Sequence, residues 1–539
     1  MENRSVGYID QTARQVESHQ HEGLSIVDTL QSLLIAFILA FTFRGFVVEA
    51  FVIPTGSMAP TLLGAHAMVR SPQTGFVYPV GPADDDTDGG QAHSVLGPGS
   101  GYQLTDPMLM SGRADDVVVA NRRTRMGDRI LVLKYLYSLV GPQRFDVVVF
   151  KNPTLPSENY IKRLIGLPGE AVWLVDGDVF ARPNGSESIE GFKVQRKPEH
   201  VQRAVWQPVY HSEYIPVDPS RIRGGWLPPW SGEGWEVANR RSYRKDSADS
   251  GTLVFDPTRL VRDKHPYNEP RDDERGITSA DAFNVSDIRL AAAIEPDADG
   301  LATTIRLACR SHEFEAEIGG QRAVLRMRAQ GTAPWTTLDD QPLSGFARAG
   351  RATQVEFWHV DQALRLWVNG SEAAHGDYDW TPAQRLVWAT GLAPEVASDP
   401  AGGNPYAASE HRPTPMRLSW QFNNVALTLH RVELDRDLYY RPADAPYGGP
   451  ALGTHPDHLV HLNADQFFVC GDNSPASQDG RLWGDPDPWI ARKIDPSPGV
   501  VNRSLMLGKA FFVYFPSPEG LREGARRFVP NFGQMRFIH

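Results

Sequence analysis

The segment Phe51–Gly64 reads FVIPTGSMAPTLLG, a serine set among residues that shape the backbone. Pro54 and Gly56 bracket a tight path that lifts Ser57 out of the extended stretch before it. A serine presented this way can act as a nucleophile once a neighbouring base takes its proton. The segment Phe145–Glu170, FDVVVFKNPTLPSENYIKRLIGLPGE, offers such a base. Asp146–Phe150 has the pattern of a short buried strand, and Tyr160–Leu167 continues it with Lys162 and Arg163 in succession. Alternate side chains on a strand point to opposite faces. The two cations must therefore diverge, one into a pocket and one toward a different partner. Taken singly, the first segment is equally an ordinary Pro-Gly turn, and the second equally a surface strand with solvated cations.

The elements that would hold these residues are embedded in a long chain. Its 539 residues correspond to three or four domains at about 150 residues each. Lys and Arg number 54 against 65 Asp and Glu, a net charge of −11, which argues against a nucleic-acid-wrapping protein. A mean hydropathy of −0.36 excludes a protein made mostly of membrane spans. Abundant Gly (48) and Pro (42) point to short strands joined by many turns. Two cysteines, Cys309 and Cys470, cannot build a disulfide framework or a four-cysteine zinc site. One segment departs from the average. Residues 24–43, LSIVDTLQSLLIAFILAFTF, reach about 30 Å as a helix, roughly one bilayer core. From Leu33 onward the segment is apolar on every face, and acidic residues precede it, which suits a retained anchor better than a cleaved leader.

Taken together, FVIPTGSM and YIKRLIGLPGE resemble the bacterial type I signal peptidases, membrane-anchored serine proteases with a Ser-Lys dyad. Three further segments fall in that family's order. They are MGDRILVLKYLY (Met126–Tyr137), FFVCGDNSPASQDGRLWG (Phe467–Gly484) and LMLGKAFFVYFP (Leu505–Pro516). The resemblance implies Ser57 as nucleophile and Lys162 as a general base acting in its neutral form, which burial among apolar neighbours would favour. It implies an oxyanion hole from the Ser57 N–H and the Thr55 hydroxyl, where many members have serine. Ser477 would hydrogen-bond the lysine, while Arg163, Asp472, Asp479 and Arg481 would form supporting ion pairs. Phe51, Ile53, Leu62 and Ile161 would line shallow pockets selecting small-x-small junctions such as A-x-A. The implied partners are exported preproteins and the lipid bilayer, with the catalytic domain on the extracytoplasmic side of the cell (inner) membrane. No cofactor, metal or nucleic acid is implied.

Most of the chain lies outside these boxes. Asp84, Asp86, Asp88 and Gly89 mimic the start of an EF-hand, but position twelve is Val95 where a glutamate is needed, leaving a solvated acidic loop. The region between Phe180 and Phe467 holds ten of the thirteen tryptophans and can build its own core. Alternation is plain at Ile288, Leu290, Ala292 and Ile294, at Leu364, Leu366 and Val368, and at Met416, Leu418, Trp420 and Phe422. VEFWHVDQALRLWVNG (Val355–Gly370) resembles a laminin-G or concanavalin-like hairpin. The expected fold is mainly β. A polar tail (1–23) and a transmembrane helix (24–43) precede an antiparallel catalytic domain (44–180 and 460–539) with a loop insertion near 65–125. An irregular connector (181–240) leads to an inserted jelly-roll-like β-sandwich (241–440). Exposed aromatics on such a sandwich would bind a glycan or protein, although core packing is the commoner role for tryptophan. The expected function is a membrane-bound signal peptidase. The alternative is a membrane-anchored binding protein working through the sandwich on an inactive peptidase fold. A self-cleaving repressor is disfavoured by the anchor and the lack of a DNA-binding segment.

Overall fold

The computed structural model describes the chain apart from residues 1–26, 40, 42–46, 83–101, 105, 111–116, 120–124, 186–190, 223–224, 239–240, 269–281, 393–414, 443–449, 518, 521–527 and 530. The polar tail and the Asp84–Gly89 loop fall outside the described residues. Residues 27–39 are helical, and most of their large apolar side chains, among them Leu30, Leu34 and Leu39, are more than half exposed. Among the described residues no helix is long and apolar enough to cross a membrane, and the expected span 24–43 is described only in part.

The protein is mainly β and its paired strands are antiparallel. One sheet gathers the segments singled out in the sequence, in the order Val48–Val52, Arg129–Leu133, Met506–Phe515, Val147–Lys151, Asn159–Gly166, Gln466–Cys470 and Val501–Asn502. Strands from both ends of the chain interleave, with Met506–Phe515 between Arg129–Leu133 and Val147–Lys151. Apolar alternation explains the pairing. Ile130, Val132, Val147, Val149, Ala510 and Val513 turn to one core together with Ile53, Met58, Leu62 and Ile161. A second, four-stranded sheet is built on the hairpin Glu170–Val175 and Asp178–Pro183, flanked by Lys193–Val194 and Val460–His461.

The inserted region forms two larger sheets. One runs Trp235–Ala238, Ser242–Lys245, Leu427–Arg436, Ile288–Pro296, Thr353–Val360, Ala363–Val368 and Ser371–Asp377. The other runs Trp230–Ser231, Gly251–Phe255, Arg417–Asn423, Ala302–Cys309, His312–Gly319, Arg322–Ala329 and Thr336–Pro342. The alternating residues Ile288, Leu290, Ala292 and Ile294 share one core with Leu364, Leu366, Leu418, Trp420 and Phe422, the packing of a sandwich. Residues 181–240, expected as an irregular connector, contribute to both sheets. Gln207–His211 pairs with Leu427–Arg436, and Trp230–Ser231 pairs with Gly251–Phe255. These strands are too short to announce themselves by periodicity. The outer face around Trp358 and Trp367 is covered, because the helix Glu199–Val205 lays Arg203 across both rings at 4.7 and 4.5 Å.

Candidate active site

Ser57 stands in a loop between two clamps. Asp128, from the strand box after the first segment, holds its two ends. The Ile53 N–H donates to the Asp128 carbonyl at 2.9 Å and the Leu63 N–H to its carboxylate at 3.1 Å. Asn473 holds the middle. Its N–H donates to the Ser57 carbonyl at 3.0 Å and its side-chain amide to the Gly56 carbonyl at 2.9 Å. The loop is also packed hard. A Cβ on Gly56 would lie 2.0 Å from the Tyr267 ring, and one on Gly471 would lie 2.4 Å from the Ser57 carbonyl. Glycine is therefore required at both positions for closeness of approach.

Lys162 lies on Asn159–Gly166, between Val147–Lys151 and Gln466–Cys470. Its ammonium nitrogen, in a side chain only 3% exposed, donates to Ser57 Oγ at 2.7 Å. Burial lowers its pKa to about 8, partly opposed by the carboxylates of Asp479 and Asp472. The neighbouring cation points the other way, as the strand pleat requires. Arg163 makes a two-pronged ion pair with Asp472 at 2.8 and 2.7 Å, and Thr61 also donates to that carboxylate. Behind the lysine, Asp479 and Arg481 form a second buried fork at 2.9 and 2.8 Å. Burial works against the Asp479 carboxylate, but Arg481 holds its pKa below the usual range.

The remaining expected positions divide. The Thr55 hydroxyl lies 3.5 Å from Ser57 Oγ, on the exposed side of the loop. Ile53, Leu62 and Ile161 lie in one buried cluster with Phe51 packed against it, beside the serine. Ser477 is buried close to Gly471, yet its hydroxyl has no hydrogen-bond partner among the described residues. The bond from Ser477 to the lysine that the resemblance implies is not made, and the ammonium donates to Ser57. Asn473, Thr61, Asn268 and Tyr267 were not singled out from the sequence. Asn473 stands inside the quoted Gly-Asp-Asn box, whereas Tyr267 and Asn268 lie some 200 residues from the loop they touch, in a stretch without motif character. Cys470 is buried beside the lysine and burial pushes its thiol pKa well up, so it is inert. Among the described residues no cluster of His, Cys, Asp or Glu could hold a metal ion.

Residues 110–213, which include Lys162 and Arg163, match the family model "Signal peptidase, peptidase S26". Signal peptidase I of Rickettsia bellii is 24% identical over 176 residues, covering 33% of this chain and 46% of that protein. The enzyme of Leptolyngbya laminosa is 35% identical over 107 residues, covering 18% and 47%, respectively. Over this stretch the chain is similar to the signal peptidases. It spans less than half the length of these two relatives, and the residues matched by the family model run from the sheet that carries Lys162 through the hairpin Glu170–Pro183 to Gln207–His211. Two solved structures from Bacillus subtilis also match, a carbohydrate-binding module and a protein of unknown function with a galectin-like fold. They cover 38% and 43% of this chain and 95% and 97% of their own, at 7% and 8% identity and TM-scores of 0.22 and 0.25. The sandwich itself rests on the strand pairing described above.

Proposed function

We propose that the chain is a serine endopeptidase that removes signal peptides from exported preproteins by a Ser57–Lys162 dyad. The observation that carries this reading is the 2.7 Å contact between a buried lysine and a serine held at the apex of a clamped loop. A lysine whose pKa is lowered to about 8 is neutral in a useful fraction near neutral pH. In the neutral form Lys162 accepts the Ser57 proton as the hydroxyl attacks the scissile carbonyl, then returns it to the leaving amine. It next takes a proton from a water as the water oxygen attacks the acyl ester, and returns it to Ser57 Oγ as the ester bond breaks and the acid leaves. The Ser57 N–H and the Thr55 hydroxyl would face the developing oxyanion, a role worth about 3–4 kcal/mol per donor. Arg163–Asp472 and Asp479–Arg481 act as scaffold, since their forks are closed on each other.

Phe51, Ile53, Leu62 and Ile161 pack in one cluster with Met58, the residue after the serine, and this supports shallow apolar pockets that select small side chains by excluding large ones. The exposed apolar helix at 27–39 supports a single membrane anchor that keeps the site near the bilayer, on the extracytoplasmic side. The test is cleavage of an A-x-A peptide by the full chain in detergent, with the cut mapped by mass spectrometry. Ser57→Ala and Lys162→Ala are each expected to abolish cleavage while circular dichroism stays unchanged. Wild-type rates in either variant would refute the dyad.

A further inference from the structure

A cavity of about 440 Å³ lies where the inserted region meets the catalytic unit. On one side it is walled by Pro60, three residues beyond the serine, and by Phe76 and Tyr78. On the other are Leu260, His265 and Arg436 of the insertion. Arg436 is the unusual member. Its guanidinium is buried, it donates only to main-chain carbonyls, of Asp437, Asp263 and Lys264, and it makes no ion pair among the described residues. The nearby Asp263 is already committed to Arg441 at 2.7 Å. Asp106, the carboxylate in the lining, is engaged by the Thr74 hydroxyl at 2.6 Å and the Met108 N–H at 2.9 Å. Burial lowers the Arg436 pKa to about 10 and that of His265 to about 3, so the arginine stays charged and the histidine neutral. The carboxylates closest in charge to it, Asp263 and Asp437, are paired with Arg441 and Lys197 and offset its burial only in part, so an anion entering beside it would relieve the remaining cost.

The cavity is also mechanically close to the nucleophile. The turn Pro266–Asn268 begins on its wall and ends at the serine loop. The Tyr267 ring lies against Gly56 and its hydroxyl donates to the Ala65 carbonyl at 2.6 Å. Asn268 and Asn473 exchange amide hydrogen bonds at 2.8 and 2.9 Å, and Asn473 is the residue that holds the Gly56 and Ser57 carbonyls. We propose that this cavity is a binding site for an organic anion, a carboxylate or phosphate group on an apolar body. The anionic group would face Arg436 and the body would lie along Phe76, Tyr78 and Leu260. Occupancy braces the turn that carries Tyr267 and Asn268 and thereby steadies Ser57. This second half rests on the peptidase reading, whereas the binding site does not.

The experiment titrates the full chain in detergent with 1-naphthoate, 1-naphthyl phosphate and, as the charge-reversed control, 1-naphthylmethylamine. Binding is read by calorimetry and cleavage by the A-x-A peptide assay. Saturable binding of at least one anion, with none of the amine, is expected, and comparing the two anions distinguishes carboxylate from phosphate. Arg436→Gln should weaken binding at least tenfold. Leu260→Trp fills the cavity from its half-buried rim and should abolish binding of the anion and its effect on kcat. Equal binding of the amine, no binding of either anion, or unaltered binding by Leu260→Trp overturns the site. The bound anion is expected to raise kcat with KM unchanged, and a kcat that does not move overturns the coupling. Ser57→Ala protein should bind the anion as the wild type does, so failure of the peptidase reading leaves the site measurable.

Discussion

At the scale of single residues, the proposed chemistry depends on how one ammonium is housed. Lys162 is surrounded by apolar side chains and two carboxylates that are themselves spoken for, so burial outweighs attraction and its pKa falls to about 8. The sign of the pH dependence follows. The protonated lysine cannot accept the serine proton, so kcat/KM should be low below about pH 8, rise through that value and level off above it. A profile measured from pH 6 to 10 checks this, and a rate that falls with rising pH across that range would refute it. Asp479 is the largest single charge that favours the ammonium. Asp479→Asn should therefore move the rising limb to lower pH. The same change leaves Arg481 buried without its carboxylate, at a cost of about 3–5 kcal/mol to stability. A lowered melting temperature together with an acid-shifted limb is the expected pair of results.

At the scale of elements, the serine loop depends on close approach more than on any one bond. The Tyr267 ring occupies the space where a side chain at position 56 would begin. Gly56→Ala should cost about 1–3 kcal/mol by overpacking and lower kcat by displacing Ser57. Adding Tyr267→Ala should return much of the activity, and a double variant no better than Gly56→Ala alone would show that the ring is not the obstacle. The loop also shows why some elements could be read from the chain and others could not. Period-two alternation exposed Ile288–Ile294 and Met416–Phe422, because each strand buries one face in a single core. Pleat geometry alone required Lys162 and Arg163 to part, and they do, to Ser57 and Asp472. Asn268 meeting Asn473 leaves no such trace, since nothing local marks a polar residue whose partner is 205 positions away. Gln207–His211 leaves no local trace for a related reason, being a short strand whose pattern is set by the sheet it joins.

At the scale of the whole molecule, the insertion is joined to the peptidase unit by buried charge. Asp176 and Asp178, at the end of the hairpin Glu170–Pro183, face Arg310 and Arg385 of the inserted region. Both arginines also reach Asp287, and all five side chains are nearly sealed from solvent. Isolated acidic and basic residues in a sequence look like solvated surface, so this joint is not legible in the chain. Such a network contributes little net stability when complete but is expensive to break, because the partners left behind remain buried and charged. Arg385→Met should thus cost about 3–5 kcal/mol, and the loss should be read in the unfolding of the catalytic sheet as well as of the sandwich. Excision of 241–440 is a harsher form of the same experiment. It removes Leu427–Arg436 from Gln207–His211, the arginines from Asp176 and Asp178, and Tyr267 and Asn268 from the serine loop. It also uncovers the cluster of Trp173, Val175 and Phe180 that packs on Leu386. The expected product aggregates and shows no cooperative unfolding, read by size-exclusion chromatography and calorimetry. A soluble truncated chain that unfolds cooperatively and still cleaves an A-x-A peptide would mean that the insertion is a detachable module and that the serine loop holds its shape without it.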